Sequence, residues 1–175
     1  LGSLQKESLW RTGSTFNAYN VKTVRKIRDR RKAKGNDDPM IFMSDVIHGY
    51  RTIFPVPLGL ACSFDMLLIE NCAFAAATEA GYDGVDVTFS PVVDLVRDAR
   101  WGRVMESGGE DPYLNGEIGK AFIRGYHKGG IGACVKHFAC YGAAEAGREY
   151  NTTDISERSL KEYYMRAYRA CLDEN

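Results

Sequence analysis

The chain has no excess of charge of either sign: 23 Lys and Arg balance 23 Asp and Glu over 175 residues. That balance excludes the basic footprint of a nucleic-acid binder and gives no reason to expect an anionic membrane surface as partner. Long apolar runs are missing too. Each is broken well short of the ~20 residues a membrane span needs, and no secretory leader is read at the N-terminus. Histidine is scarce, with 3 in all and no close set of ligand residues, so neither a metal nor another cofactor is expected. The 5 cysteines, Cys62, Cys72, Cys134, Cys140 and Cys171, are odd in number and never C-x-x-C spaced. They read as scattered reduced thiols. They lean toward a cytoplasmic location but leave it open, an exported parent included. What is present is 45% hydrophobic residues, enough for the core of one domain.

Along the chain, strand, loop and helix repeat. Leu1–Leu4 reads as a short strand, and residues 6–20 as polar and irregular. Val21, Val24 and Ile27 recur at helical spacing within a dense run of Arg and Lys, which predicts a basic, solvated helix over 21–34. A turn at 35–39 precedes a compact apolar strand, Met40–Met43. A long loop over 48–60 follows, then a helix capped by Ser63 or Asp65 and ended near Ala80 by Gly81. Val85–Val93 is the next strand region, interrupted by Pro91. A charged loop over 94–111 leads to a helix opened by Pro112 and stopped by Gly129-Gly130. Ile131–Val135 is a further apolar strand. After a polar loop over 139–153, Asp154-Ile155-Ser156-Glu157 has the pattern of a capping box and opens a last helix to about Asp173. Asn151-Thr152-Thr153 fits the N-glycosylation pattern but reads as plain loop. Alternation of this kind predicts an α/β fold with a parallel sheet or barrel of about four β/α units. The loops after the strands are long and charged, those after the helices short, which places function on one side.

Charge gathers at the ends of three strands. Lys136 and His137 interrupt an apolar run, and burying them costs free energy unless each finds a partner. Asp45, His48 and Arg51 follow the first of these strands. Asp94, Arg97, Asp98, Arg100 and Arg103 follow the second, with Trp101 among them, and Arg148 lies beyond the third. In a parallel sheet these ends converge on one rim. Carboxylates that accept and cations that donate suit a neutral polyhydroxyl ligand, and equally a phosphate or carboxylate. Against this stand plainer readings. Asp94, Arg97 and Asp98 also fit a surface ion network, Asp45 a turn cap, His48 and His127 structural roles, and Glu110-Asp111-Pro112 a helix start.

Several ordered blocks then resemble one family. Ser44-Asp45-Val46-Ile47-His48-Gly49-Tyr50-Arg51-Thr52-Ile53-Phe54-Pro55 is similar to a loop of glycoside hydrolase family 3, the bacterial β-glucosidase group. Pro91-Val92-Val93-Asp94, Arg97-Asp98-Ala99-Arg100-Trp101-Gly102-Arg103 and Gly109-Glu110-Asp111-Pro112-Tyr113 resemble its second block. Lys136-His137-Phe138 and Gly147-Arg148-Glu149-Tyr150-Asn151-Thr152-Thr153-Asp154 resemble its third. Ala99 departs from the family's usual Pro. The resemblance covers about residues 38–175. It implies a (β/α)8 TIM-type barrel, retaining removal of terminal sugars from β-glucosides or β-xylosides, and sugar-hydroxyl binding by Asp45, Arg51, Arg103, Lys136, His137 and Arg148. The implied substrates are β-linked gluco-oligosaccharides and aryl or alkyl β-glucosides.

Retaining glycosidases use two carboxyl groups about 5 Å apart. The family's nucleophile sits in a Ser-Asp-Trp-like motif, which this sequence does not contain. A whole barrel takes about 250 residues. The expectation is therefore a single incomplete domain over 1–175, the N-terminal half of the barrel. It would hold the sugar-binding rim, with nucleophile and acid/base expected beyond Asn175 and the chain alone inactive. The alternatives are a non-catalytic sugar-binding module, a half-barrel that self-associates through open sheet edges, and the same rim with an anionic ligand.

Overall fold

The computed structural model describes residues 11–18 and 20–174. The strand expected at Leu1–Leu4 lies outside them. Among the described residues four strands form one parallel sheet in sequence order: β1 (Ser14–Phe16), β2 (Ile41–Ser44), β3 (Val87–Thr88) and β4 (Gly132–Ala133). β1 falls in the stretch expected to be irregular. Three residues are too few to show a period, and pairing makes the strand, with Ser14 opposite Ile41 and Phe16 opposite Met43. β2 pairs with β3 and β3 with β4 in the same direction. The regular ladder is shorter than the apolar runs suggest. It resumes past Pro91, where Val92 bridges Lys136 and Val93 N–H donates to the Lys136 carbonyl at 2.9 Å.

Helices follow each strand. α1 (Val21–Lys32) is capped by Asn20, whose side chain accepts from Thr23 N–H. The loop after β2 contains a short helix, α2 (Pro57–Ala61), which turn-rich composition had hidden. Asp65, and not Ser63, caps α3 (Met66–Tyr82) by accepting from Leu68 N–H. Gly81 lies inside α3, and the left-handed residue that redirects the chain is Gly84, at φ +89°. Asp111 caps α4 (Pro112–Lys128) through Leu114 N–H at 2.7 Å, as the Glu110-Asp111-Pro112 pattern suggests. The last helical stretch opens at Ser156, whose hydroxyl accepts from Ser159 N–H, so the expected Asp154–Glu157 box is not formed. It runs through α5 (Glu157–Ser159) and a π-helical turn over Leu160–Tyr164 into α6 (Met165–Leu172).

Alternation along β2 assigns its faces. Phe42 and Val46 are fully buried against the helices, Phe42 with Val24 and Ile27 of α1, and Val46 with residues of α3 and α4. Ile41, Met43 and Asp45 therefore point to the other face, where Phe16 and Ile41 remain about half exposed. α3 and α4 pack at backbone distance because small residues meet there. A Cβ on Gly125 would stand 2.4 Å from the Glu70 carbonyl and 2.5 Å from Ala73 Cβ. Beneath the rim the Tyr126 hydroxyl donates to the Val46 carbonyl at 2.7 Å. Having spent its proton, it accepts from Ser90 Oγ, also at 2.7 Å, and so ties α4 to the loops after β2 and β3. Burial pushes the Tyr126 hydroxyl up. It also pushes the Cys171 thiol up to about 12, which keeps that cysteine an inert core residue.

Candidate functional site

The C-terminal ends of β2, β3 and β4 and the loops that follow them bring six charged or titratable side chains together. Asp45 follows β2 by one residue and lies on the face the helices leave open. Lys136 follows β4 and crosses to it, with Nζ donating to Asp45 Oδ1 at 2.5 Å. The Lys136 side chain is 12% exposed and that of Asp45 40%, so the carboxylate is the member open to a ligand. A turn-cap role for Asp45 does not fit this placement.

His137 turns the other way. Its main-chain N–H donates to Asp94 Oδ2 at 3.0 Å, and its ring Nδ1 lies 2.7 Å from the same oxygen. The Asp94 side chain is 0% exposed. Ring Nε2 of His137 is 3.0 Å from Nη1 of Arg103. Arg103 in turn donates from Nε and Nη2 to the two oxygens of Glu106, at 2.8 and 2.6 Å. The order Asp94, His137, Arg103, Glu106 is a continuous hydrogen-bonded chain from the buried end of β3 to the surface. Tyr141 packs beside it, its ring 4.8 Å from His137 and 5.7 Å from the Arg103 guanidinium.

The twin hydrogen bonds from Arg103 hold the Glu106 carboxyl below the ordinary carboxylate range, against a desolvation that would raise it, and the charges of Arg103 and Lys136 add to the lowering. A depressed folded value means that the pair stabilises the fold above the unfolded value of about 4.3, and that this is lost as pH falls through the folded value. Glu106→Gln is therefore less stable than the parent near neutral pH, and the gap narrows as the pH is lowered from about 6 to about 3. Urea midpoints across that range check it; a gap that stays constant would mean the ion pair is not its origin.

Other expected residues are placed differently. Arg51 is not brought to this cluster. The loop after Asp45 closes on itself, with Gly49 bridging Ile53 and Phe54 N–H donating to His48 O, and it settles on the end of α3. There Arg51 donates to Asp83 at 2.6 Å, while Glu79 accepts from the main-chain N–H groups of Arg51 and Thr52. The Arg51 guanidinium holds the Asp83 carboxyl below its usual range. His48 is structural, its Nδ1 3.0 Å from the Phe54 carbonyl. Arg148 is exposed beside the rim in the loop that carries Tyr141 and Tyr150, with no side-chain hydrogen bond among the described residues. Trp101 presents no face to a ligand. It is 1% exposed and packs edge-on against Tyr141 at 5.2 Å. The surface ion network is real only for Asp98, which pairs with Arg100 at 2.6 Å and whose carboxyl is thereby held down to about 2. Arg97 lies over the Tyr163 ring. Sequence reasoning missed Glu106 and Tyr141. Spacing of three from Arg103 within a 3-10 turn, Val104–Glu106, was the available signal for the first; nothing marked the second.

Fold and site together define a class: a parallel α/β domain with a chain of hydrogen-bonded charged side chains gathered at its strand ends. The Glycosyl hydrolase family 3 N terminal domain matches residues 9–175, and the chain belongs to that family. It is 40% identical over 168 residues to the periplasmic beta-glucosidase of Salmonella typhimurium, covering 92% of this chain and 22% of that protein. A beta-xylosidase of Formosa agariphila is 37% identical over 136 residues, covering 73% and 19%. The beta-glucosidase of Listeria innocua superimposes with a TM-score of 0.94 at 47% identity, over 98% of this chain and 25% of that one. Structures of the Listeria protein contain glucose and, for a mutant, laminaribiose, with TM-scores of 0.92. The four β/α units correspond to half of a TIM-type barrel. The chain spans 19 to 25% of the length of these relatives.

Proposed function

We propose that this chain is the sugar-binding portion of a retaining, exo-acting β-glucosidase. The observation that carries the reading is the hydrogen-bonded rim: Asp45 held open by Lys136, and Arg103 presented between His137 and Glu106. Asp45 would accept from two hydroxyls of a terminal glucosyl unit, and the cations would donate charge-assisted bonds to others. Arg51 and Arg148 belong to the proposal as residues that join this rim when sugar is bound. The three rim carboxylates each have a cationic or imidazole partner, Asp45 in Lys136, Glu106 in Arg103 and Asp94 in His137. Nucleophile and acid/base are assigned to other parts of the parent enzyme. The substrates would be β-linked gluco-oligosaccharides or aryl and alkyl β-glucosides, with β-xylosides as the variant specificity.

Calorimetric titration with glucose, xylose and inorganic phosphate tests this reading, together with an aryl β-glucoside hydrolysis assay. Binding of glucose without turnover is expected. Binding of phosphate in place of sugar would reassign the ligand, and turnover abolished by Asp45→Ala would place the chemistry on this chain.

A second reading has its own observation. Among the described residues β1 and β4 each carry an unpaired edge, and a groove of about 1480 Å³ runs beside β4, lined by Ala133, Val135 and Phe138 and by Tyr168 and Leu172 of α6. Two copies meeting edge to edge would cover both. Light scattering at micromolar concentration decides, a stable monomer counting against it.

A further inference from the structure

We propose that Asp94 is a positioning residue: it fixes His137 as the Nδ1–H tautomer, and so makes Nε2 the acceptor that holds Arg103 at the rim. The consequence for Arg103 rests on the sugar-binding reading above; the tautomer does not.

Donors and acceptors around the ring decide its tautomer. Asp94 is buried, and its Oδ2 already takes the His137 main-chain N–H at 3.0 Å. An ionised carboxylate only accepts, so Nδ1 at 2.7 Å carries the proton. The partner of Nε2 is the Arg103 guanidinium, which only donates, so Nε2 offers its lone pair at 3.0 Å. One protonation state satisfies both contacts. The other neutral tautomer sets a lone pair against the carboxylate and N–H against N–H at Arg103. The imidazolium keeps the first contact but turns the second into donor against donor between two cations.

The burial of Asp94 points to purpose beyond packing. Its second oxygen, Oδ1, is buried and has no hydrogen-bond partner among the described residues. A desolvated carboxylate satisfied at one oxygen is costly to keep for stability alone. Among the described residues both of its side-chain hydrogen bonds run through Oδ2 to His137. With Glu106 accepting from Nε and Nη2, and His137 from Nη1, three guanidinium N–H bonds of Arg103 are committed. One remains on each terminal nitrogen, a pair of fixed donors for ligand hydroxyls. Asp94 thus acts on the ligand through two intermediaries it holds in order, as an outer partner orients a ligating histidine.

The test begins with the unaltered chain. Long-range ¹⁵N correlation of the imidazole at neutral pH is expected to show His137 protonated at Nδ1 and bare at Nε2. Protonation at Nε2, alone or with Nδ1, overturns the proposal without any mutation. Asp94→Ala is then expected to mix the tautomers and weaken glucose binding at least about tenfold, the loss of one charge-assisted contact. Asp94→Asn keeps an oxygen at the Oδ2 position and is expected to retain the tautomer and bind within about threefold of the parent. The double variant Asp94→Ala, His137→Ala should bind no more weakly than His137→Ala alone. Additive losses would mean that Asp94 does not act through His137. If the parent chain binds no glucose, the sugar-binding reading falls, and the tautomer measurement alone decides on Asp94.

Discussion

Asp45→Ala weakens glucose binding by about one to two orders of magnitude. The carboxylate is the rim's most accessible acceptor, and a hydrogen bond to a charged group is worth about 1.5–3 kcal/mol. The substitution also strips Lys136 of its counter-ion at a position only 12% exposed, which leaves a cation poorly solvated at the site. Asp45→Asn separates the two effects. It retains one acceptor and removes the charge, so its affinity falls between those of the parent and the alanine variant. Calorimetry on the three proteins measures this. An alanine variant within about threefold of the parent would remove Asp45 from the binding site.

Gly125→Ala destabilises the fold by about 3 kcal/mol or more, although alanine is the better helix former by about 1 kcal/mol. Space decides the sign. The added methyl meets the Glu70 carbonyl at 2.4 Å, Ala73 Cβ at 2.5 Å and the Phe74 main-chain nitrogen at 2.9 Å. Two of these three are backbone atoms of α3, which cannot rotate aside, so the helices must separate along the contact that positions the ends of β3 and β4. Gly13→Ala is the control, with no atom within 4 Å of the added carbon and no left-handed backbone. Its expected change is within about 0.5 kcal/mol. Urea denaturation compares the two; equal midpoints would mean that α3 and α4 do not approach as closely as described.

The helices were legible because their signals are local. Asp65 and Asp111 stand where a cap must stand, and apolar residues recur on one face of α4. Strands were legible as apolar runs but not in their limits, since pairing sets those: Ser14–Phe16 becomes a strand because Ile41–Met43 lies beside it. Gly81 was misleading as a helix end because α3 uses it inside the helix and turns at Gly84. At the rim, Lys136 and His137 announced themselves as titratable groups ending an apolar run, and both have the partners their burial demands. Asp94 stood among charges that also fitted a surface network, and only tertiary structure separates it, buried on His137, from Asp98 on Arg100. Arg51 shares a loop with Asp45 yet sits on Asp83 of the α3 end, because the loop's reversal at Gly49 is invisible to spacing.

The proposed sugar site joins Asp45, Arg103, Lys136 and His137. Amide chemical-shift mapping of the isotopically labelled chain during titration with glucose tests it most directly. Saturable shifts are expected to concentrate at residues 45, 94, 103, 106, 136 and 137, and to fall to background in Asp45→Ala. Saturable shifts centred elsewhere, for instance on the groove beside β4, with the strand ends unmoved, would contradict it.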